Sequence, residues 1–157
     1  MRRKDREVRN TQEIFDILQR CNTVRIAMRG EKYPYVVPVS FGAELIDEKI
    51  VLYFHSAKKG MKLDQLTADP YVCVEGDIFI AIEPLSDGIT ARYESVIGFG
   101  KCSFVEAPDE KAHGLKLLTE HYGYREYPLD TCGGAKYVQV GRIVLEEVTG
   151  KRNLPKN

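Results

Sequence analysis

The alternation of β-type segments with turn signals constrains the fold of this chain most. About six segments are rich in Val, Ile, Tyr and Phe, and Gly, Pro or Asp residues separate them. Only three short segments have the spacing of an amphipathic helix, and they do not alternate with the strands as βαβ units require. This pattern predicts a mainly β fold, an antiparallel β-barrel with helices packed on its outside.

The helices and strands can be placed along the sequence. One helix is predicted over 11–20, where Asn10 begins a capping-box pattern, a second before Pro70, and a third from Pro108 to Gly123. The strands are predicted at 23–28, 35–41, 49–55, 71–75, 91–105 and 138–147. The segment 42–48 is interpreted as a polar connector, and the final residues GKRNLPKN as a basic tail.

Length and composition exclude several classes of function. The chain of 157 residues suits a single domain, 1–157. Lys and Arg together number 23, as do Asp and Glu, so the net charge gives no reason to expect a nucleic-acid partner. No apolar run approaches the roughly 18 residues of a membrane span. The basic start precedes an amphipathic segment and not the apolar core of a signal peptide, so we expect an uncleaved cytoplasmic protein.

The four cysteines give no sign of a metal site. They lie far apart, and no CxxC or HxxxH spacing occurs. A buried Cys behaves as a small apolar residue, so all four are interpreted as reduced structural thiols, and no metal is expected. These residues are Cys21, Cys73, Cys102 and Cys132.

One segment has the composition of an anion site, where the third strand passes into the second helix. Exposed amides at a helix start, a hydroxyl, a glycine and several ammonium groups together favour a phosphate. The alternative is that Ser56 only caps the helix while the lysines form its solvated face. The residues concerned are His55, Ser56, Lys58, Lys59, Gly60 and Lys62.

Runs of sequence along nearly the whole chain resemble one known family. The runs are RNTQEIFDIL, TVRIAM, YVVPVSFG, LYFHSAKKGMKLDQL, DPYVCVEGD, YESVIGFGKCSFVE and LEEVTGKRN. In these runs the chain is similar to the nitroimidazole-resistance-type branch of the pyridoxamine 5′-phosphate oxidase-related flavoproteins. The resemblance implies a split β-barrel homodimer with two FMN sites at the subunit interface, each drawing residues from both chains.

The resemblance also implies which residues contact the flavin. Backbone groups at the PVSF run would lie along the isoalloxazine ring, residues of the HS pair would approach the ring and the ribityl chain, and the lysines and glycine after them would hold the phosphate. The cofactor-binding residues from these runs are Pro38, Val39, Ser40, Phe41, His55, Ser56, Lys58, Gly60 and Lys62.

Two further positions are implied near the flavin. Glu94 and Ser95 match a later strand of the family, although the wider family has a Gln and Arg pattern there and this chain does not. Arg152 in the terminal TGKRN would reach the flavin or a ligand, the alternative being a cation of a solvated tail.

The implied activity is FMN-dependent reduction of small nitro-aromatic or similar acceptors. His55 is the candidate catalytic residue, because a histidine can donate a proton near neutral pH while an acceptor takes electrons. Oxidation of vitamin B6 is disfavoured, since the Arg- and His-bearing motif of true pyridoxamine phosphate oxidases is missing after the last strand. The alternatives are a flavin-binding protein without turnover, a haem- or deazaflavin-binding split barrel, and a β-barrel that binds single-stranded nucleic acid.

Overall fold

The computed structural model describes residues 2–126, 128 and 133–155, and within them eight strands and three helices make up the fold. The mainly β class expected from the sequence is confirmed. The strands are β1 (Glu7–Val8), β2 (Val24–Met28), β3 (Tyr35–Val39), β4 (Phe41–Ile46), β5 (Lys49–Ala57), β6 (Tyr71–Leu85), β7 (Gly88–Phe104) and β8 (Val138–Asn153). The helices are α1 (Thr11–Gln19), α2 (Met61–Ala68) and α3 (Pro108–His121).

The strands form one antiparallel sheet in the order β3-β2-β6-β7-β8-β5-β4, and β1 pairs with the end of β8. The sheet curls around the core without closing. Its two edge strands, β3 and β4, are joined in sequence by Ser40, but among the described residues they do not pair with each other. The sequence pattern predicted an antiparallel barrel, and the open form seen here is the split barrel that the family resemblance implied.

Helix α1 covers the core. Ile14, Ile17 and Leu18 recur at helical spacing and are almost completely buried against the sheet. Asn10 begins the helix as predicted, because its Oδ1 accepts a hydrogen bond from the backbone N–H of Glu13 at 3.0 Å. The Glu13 carboxylate does not complete the capping box and instead accepts a hydrogen bond from Arg152 at 2.9 Å. None of the helices within the described ranges is long and apolar enough to cross a membrane.

Two segments interpreted as irregular are strands, and those interpretations are wrong. The connector 42–48 contains β4, which turns into β5 through Asp47 and Glu48, both with positive φ (47° and 61°). Turns of this kind usually carry Asn or Gly, so the Asp-Glu pair gave no turn signal. The tail GKRN continues β8, pairing with β7 on one side and β1 on the other.

The cysteines within the described residues are free thiols. Burial raises the pKa of Cys21 to about 11 and that of Cys102 to about 12, so both stay protonated near neutral pH. Cys73 is partly buried, and burial raises its pKa as well. Cys132 lies outside the described residues.

Helix α3 lies directly against β4. A Cβ added at Gly42 would come within 2.4 Å of the backbone of Leu117 and Leu118, so only glycine permits this contact. The side chains add a polar contact, since His113 Nε2 lies 2.9 Å from Glu44 Oε1. Helix α3 is thereby fixed over the edge of the sheet that leads to Ser40.

Gly42→Ala should lower the free energy of unfolding by roughly 1–3 kcal/mol, the usual cost of overpacking, because α3 must move away from β4. Urea unfolding followed by circular dichroism measures the change. Gly133→Ala is the control, since a Cβ there meets no atom within 4 Å. Equal unfolding midpoints for the two variants would contradict the close contact between α3 and β4.

Candidate functional site

The segment His55–Lys62 is an accessible turn between a strand and a helix. Strand β5 ends at Ala57 and α2 begins at Met61, and His55, Lys58 and Gly60 are all exposed. Gly60 has φ +135°, a conformation that side chains disfavour, and a Cβ built there meets no atom within 4 Å. The space beside this turn is therefore open to a ligand.

The start of α2 offers unpaired backbone donors to that space. The Gly60 carbonyl accepts hydrogen bonds from the N–H groups of Leu63 and Asp64, which leaves the N–H groups of Met61 and Lys62 without partners inside the helix. No side chain caps this end. The alternative in which Ser56 caps the helix is wrong, because its Oγ donates to the carbonyl of Ala57 at 3.0 Å. The free amides and the positive end of the helix dipole fit a phosphate group.

Lys62 adds a cation to this turn. Its side chain is half-buried, with Nζ 5.0 Å from the centre of the Phe54 ring, and burial lowers the pKa of the ammonium. A partly desolvated ammonium attracts an anion more strongly than one in water. Lys58 and Lys59, in contrast, are fully on the surface. The half-buried Lys62 therefore does not belong to a solvated lysine face.

His55 lies close enough to Lys62 to be affected by it. Partial burial lowers the pKa of the imidazole below its ordinary value, and the positive charge of Lys62 lowers it further. His55 is therefore mostly neutral at neutral pH. In that state one ring nitrogen donates a hydrogen bond and the other accepts one, while the minor protonated form is a stronger acid than an ordinary histidine.

The structure brings the PVSF run next to this turn. Phe41 pairs with Phe54, so Ser40 and His55 occupy the next position on each strand. Ser40 and Pro38 are exposed, whereas Val39 and Phe41 are buried. The N–H of Phe41 donates to Tyr122 Oη at 3.3 Å and is not free for a ligand. Among these residues, Ser40 has the most accessible groups beside His55.

Glu94, Ser95 and Arg152 are not part of this cluster within one chain. His55 pairs with Val140 on β8, and Glu94 pairs with Arg152 twelve residues further along the same strand, a distance of roughly 40 Å along β8. Glu94 is buried and accepts a hydrogen bond from Arg20, and Arg152 is paired with Glu13. Arg152 is therefore an ion-paired strand residue and not the cation of a solvated tail.

Ser95 points away from Glu94. Glu94 is buried while Ser95 is partly exposed, because successive side chains of a strand lie on opposite faces of the sheet. Only one member of this pair can therefore face any given ligand.

Tyr122 holds the strand junction beside this turn in place. Its hydroxyl accepts from the N–H of Phe41 and donates to the carbonyl of Asn22 at 2.8 Å, which ties the end of α3 to the junction of β3 and β4. The contact spans 81 residues of sequence. No local pattern marks such a contact, so no sequence signal could have found it.

The His55 imidazole should titrate below 6.5 in the folded protein, since burial and the Lys62 charge both disfavour its protonated form. NMR titration of the imidazole C–H signal measures this. Lys62→Gln should move the midpoint upward, and Lys49→Gln, at the far end of β5, should leave it unchanged. The same His55 titration midpoint in Lys62→Gln and in the unmodified protein would contradict the proximity of the two side chains.

Solved structures with the same fold provide a comparison. A candidate 5-nitroimidazole antibiotic resistance protein from Bacteroides thetaiotaomicron is 27% identical, with a TM-score of 0.80 over 92% of this chain and 85% of that chain. A FAD-binding protein from Mesorhizobium loti is 22% identical, with a TM-score of 0.67 over 94% and 97%. A FAD and heme binding protein from Mycobacterium smegmatis is 18% identical, with a TM-score of 0.78 over 97% and 76%. The last two likenesses show the fold alone.

The sequence itself places the chain in a family. No curated protein matches it. Residues 10–152 match the family described as pyridoxamine 5′-phosphate oxidase, and this range includes every strand except β1 and the last residue of β8. The match therefore covers the His55–Lys62 turn, the Ser40 junction and the two strands that carry Glu94 and Arg152. The chain belongs to the pyridoxamine 5′-phosphate oxidase family.

Proposed function

We propose that this chain binds FMN and uses it to reduce small nitro-aromatic or similar acceptors. The observation that carries the proposal is the open turn at 55–62, which presents free amides, Lys58 and Lys62 and begins at His55, opposite Ser40. The likeness to the candidate nitroimidazole resistance protein supports the choice of acceptor. The family match supports the choice of a flavin as cofactor.

The charge at the turn supports FMN as the form of flavin. FMN ends in a phosphate monoester, which carries close to two negative charges near neutral pH. The unpaired N–H groups of Met61 and Lys62, together with two ammonium groups, can satisfy several of its oxygens. FAD, the flavin of the similar Mesorhizobium loti and Mycobacterium smegmatis proteins, carries a diphosphate and an adenosine that would need additional room.

A homodimer completes this proposed site. Glu94 and Arg152 lie far from His55 within one chain, so they would approach a flavin only from a partner subunit. An exposed apolar strip on the outer face of β6 and β7 supports such an association, since Tyr71, Ile97 and Phe99 are 63%, 42% and 53% exposed. These side chains would be covered by a second copy of the chain.

The chemistry divides between the cofactor and the chain. Bound flavin would supply two electrons to the acceptor. Reduction of a nitro group to a nitroso group also consumes two protons and releases water. His55 lies beside Ser40 and can donate one of these protons in its protonated form, while the turn at 58–62 orients the cofactor by its phosphate.

Flavin binding without turnover is the second candidate. The lowered pKa of His55 favours it, because the proton-bearing form is scarce at neutral pH. Reduction that slows as pH rises above the His55 midpoint supports the reductase, because the acid is then depleted. An absorbance spectrum of the purified protein separates flavin from haem or deazaflavin.

Lys62→Gln should weaken FMN binding by roughly 1.5–3 kcal/mol, about tenfold or more, because a charge-assisted hydrogen bond to the phosphate is lost. Quenching of FMN fluorescence measures the affinity. Lys49→Gln is the matched control, since it removes the same charge from the far end of β5. Unchanged affinity for Lys62→Gln would refute the phosphate assignment, and no FMN binding by the unmodified chain would refute the proposed function.

His55→Gln should retain FMN but slow nitro reduction by roughly 100-fold, the lower range for loss of a general acid. The flavin-loaded protein is reduced with dithionite without oxygen and mixed with a nitroimidazole, and the return of flavin absorbance gives the rate. His113→Gln, a change on α3, is the control and should react at the rate of the unmodified protein.

Two outcomes of that experiment count against catalysis. If the unmodified protein is reoxidised no faster than free reduced FMN, the chain binds flavin without turnover. If His55→Gln reacts at the full rate, His55 has a structural role only.

A further inference from the structure

A cleft lies at the other end of the β7–β8 pair from His55. It has a volume of about 490 Å³, within the range of small-molecule sites. The residues before β1, the β6–β7 hairpin and the end of β8 form its walls. The residues that carry the argument are Arg3, Arg6, Leu85, Arg92, Arg152 and Leu154.

One wall of this cleft is held rigidly by Arg92. Its side chain is only 6% exposed, and its Nε and Nη2 donate to the two carboxylate oxygens of Glu83 at 2.6 and 2.7 Å. Its Nη1 donates to Asn153 Oδ1 and to the carbonyl of Leu154. Asn153 in turn donates to Ala91 and Thr90 across the strands. The hairpin and the end of β8 are therefore fixed relative to each other before any ligand arrives.

The cleft carries more positive than negative charge. Four arginines line it against one carboxylate, Asp5. Arg3 is paired with Asp5, and Arg152 with Glu13. Arg6 has no carboxylate within ion-pair distance among the described residues, although its charge acts on Asp5 from further away.

A hydroxyl beside Arg6 responds to this charge. Partial burial raises the pKa of the Tyr93 hydroxyl, but contacts from Lys151 and Arg6 outweigh burial and hold that pKa below its ordinary value. The Lys151 ammonium also lies 5.4 Å from the centre of the Tyr93 ring. Lys151 and Arg6 thus both interact with one neutral hydroxyl, and Arg6 is the member of this group that lines the cleft. An anion in the cleft would stabilise its charge.

We propose that this cleft binds the phosphate or carboxylate group of a small organic anion, held by Arg6 and Arg3. The planar guanidinium groups match either oxyanion. Leu85 and Leu154, which are 46% and 42% exposed, supply apolar surface for the carbon part of the ligand. Within one chain this cleft lies far from the turn at 55–62, and its test does not require bound flavin.

Two-dimensional NMR of the full chain tests this site. Because phosphate also fits the turn at 55–62, the titrations use the Lys62→Gln variant, with inorganic phosphate, succinate and sodium chloride of equal ionic strength. Saturable shifts of the Thr90 and Asn153 amides are expected with phosphate, succinate or both, and not with chloride. Tighter binding of phosphate assigns a phosphate ester, and tighter binding of succinate a carboxylic acid.

Adding Arg6→Gln should raise the dissociation constant obtained from those shifts by roughly tenfold or more. Arg3→Gln provides a second variant at the same cleft. Lys58→Gln, at the flavin turn, should leave them unchanged. The proposal is overturned if neither phosphate nor succinate gives saturable shifts. It is also overturned if the proteins with Arg6→Gln or Arg3→Gln added bind the anion as tightly as Lys62→Gln alone. Shifts at Gly60 alone would place the anion at the other site.

Discussion

The pairing of β7 with β8 is the interaction on which the rest of the structure depends. The two strands are in register from Tyr93–Asn153 to Phe104–Gly141, with one irregularity, and they occupy the middle of the sheet. Strand β8 then pairs with β5 at one end and with β1 at the other. This pair therefore sets the separation between the His55 turn and the arginine-lined cleft.

Partial desolvation gives the candidate flavin site its chemical character. Lys62 lies over an aromatic ring and His55 lies within reach of its charge, so burial lowers the pKa of both groups. In water the same two side chains would interact weakly. At the turn they form an electropositive surface in which histidine is mostly neutral. A phosphate bound there would reduce the repulsion between them, so binding of the proposed cofactor and protonation of His55 would be linked.

The sequence predicted the elements that local signals mark. The Asn10 cap, the proline at the start of α3 and the composition of the 55–62 turn each depend on neighbouring residues, and the structure shows a helix start or turn at each. It did not predict β4, because an Asp-Glu turn lacks the usual glycine. It also could not show that Arg152 meets Glu13 or that Phe41 meets Tyr122, since long-range contacts leave no periodic trace.

An open sheet exposes two strand edges, and exposed edges invite addition of strands from other molecules. Strands β3 and β4 each carry a feature near Ser40 that limits such strand addition. Pro38 contributes no N–H to its edge, and the Tyr122 hydroxyl occupies the N–H of Phe41 at the start of the other. At this opening, two of the backbone positions that could pair with an added strand are therefore not available as donors.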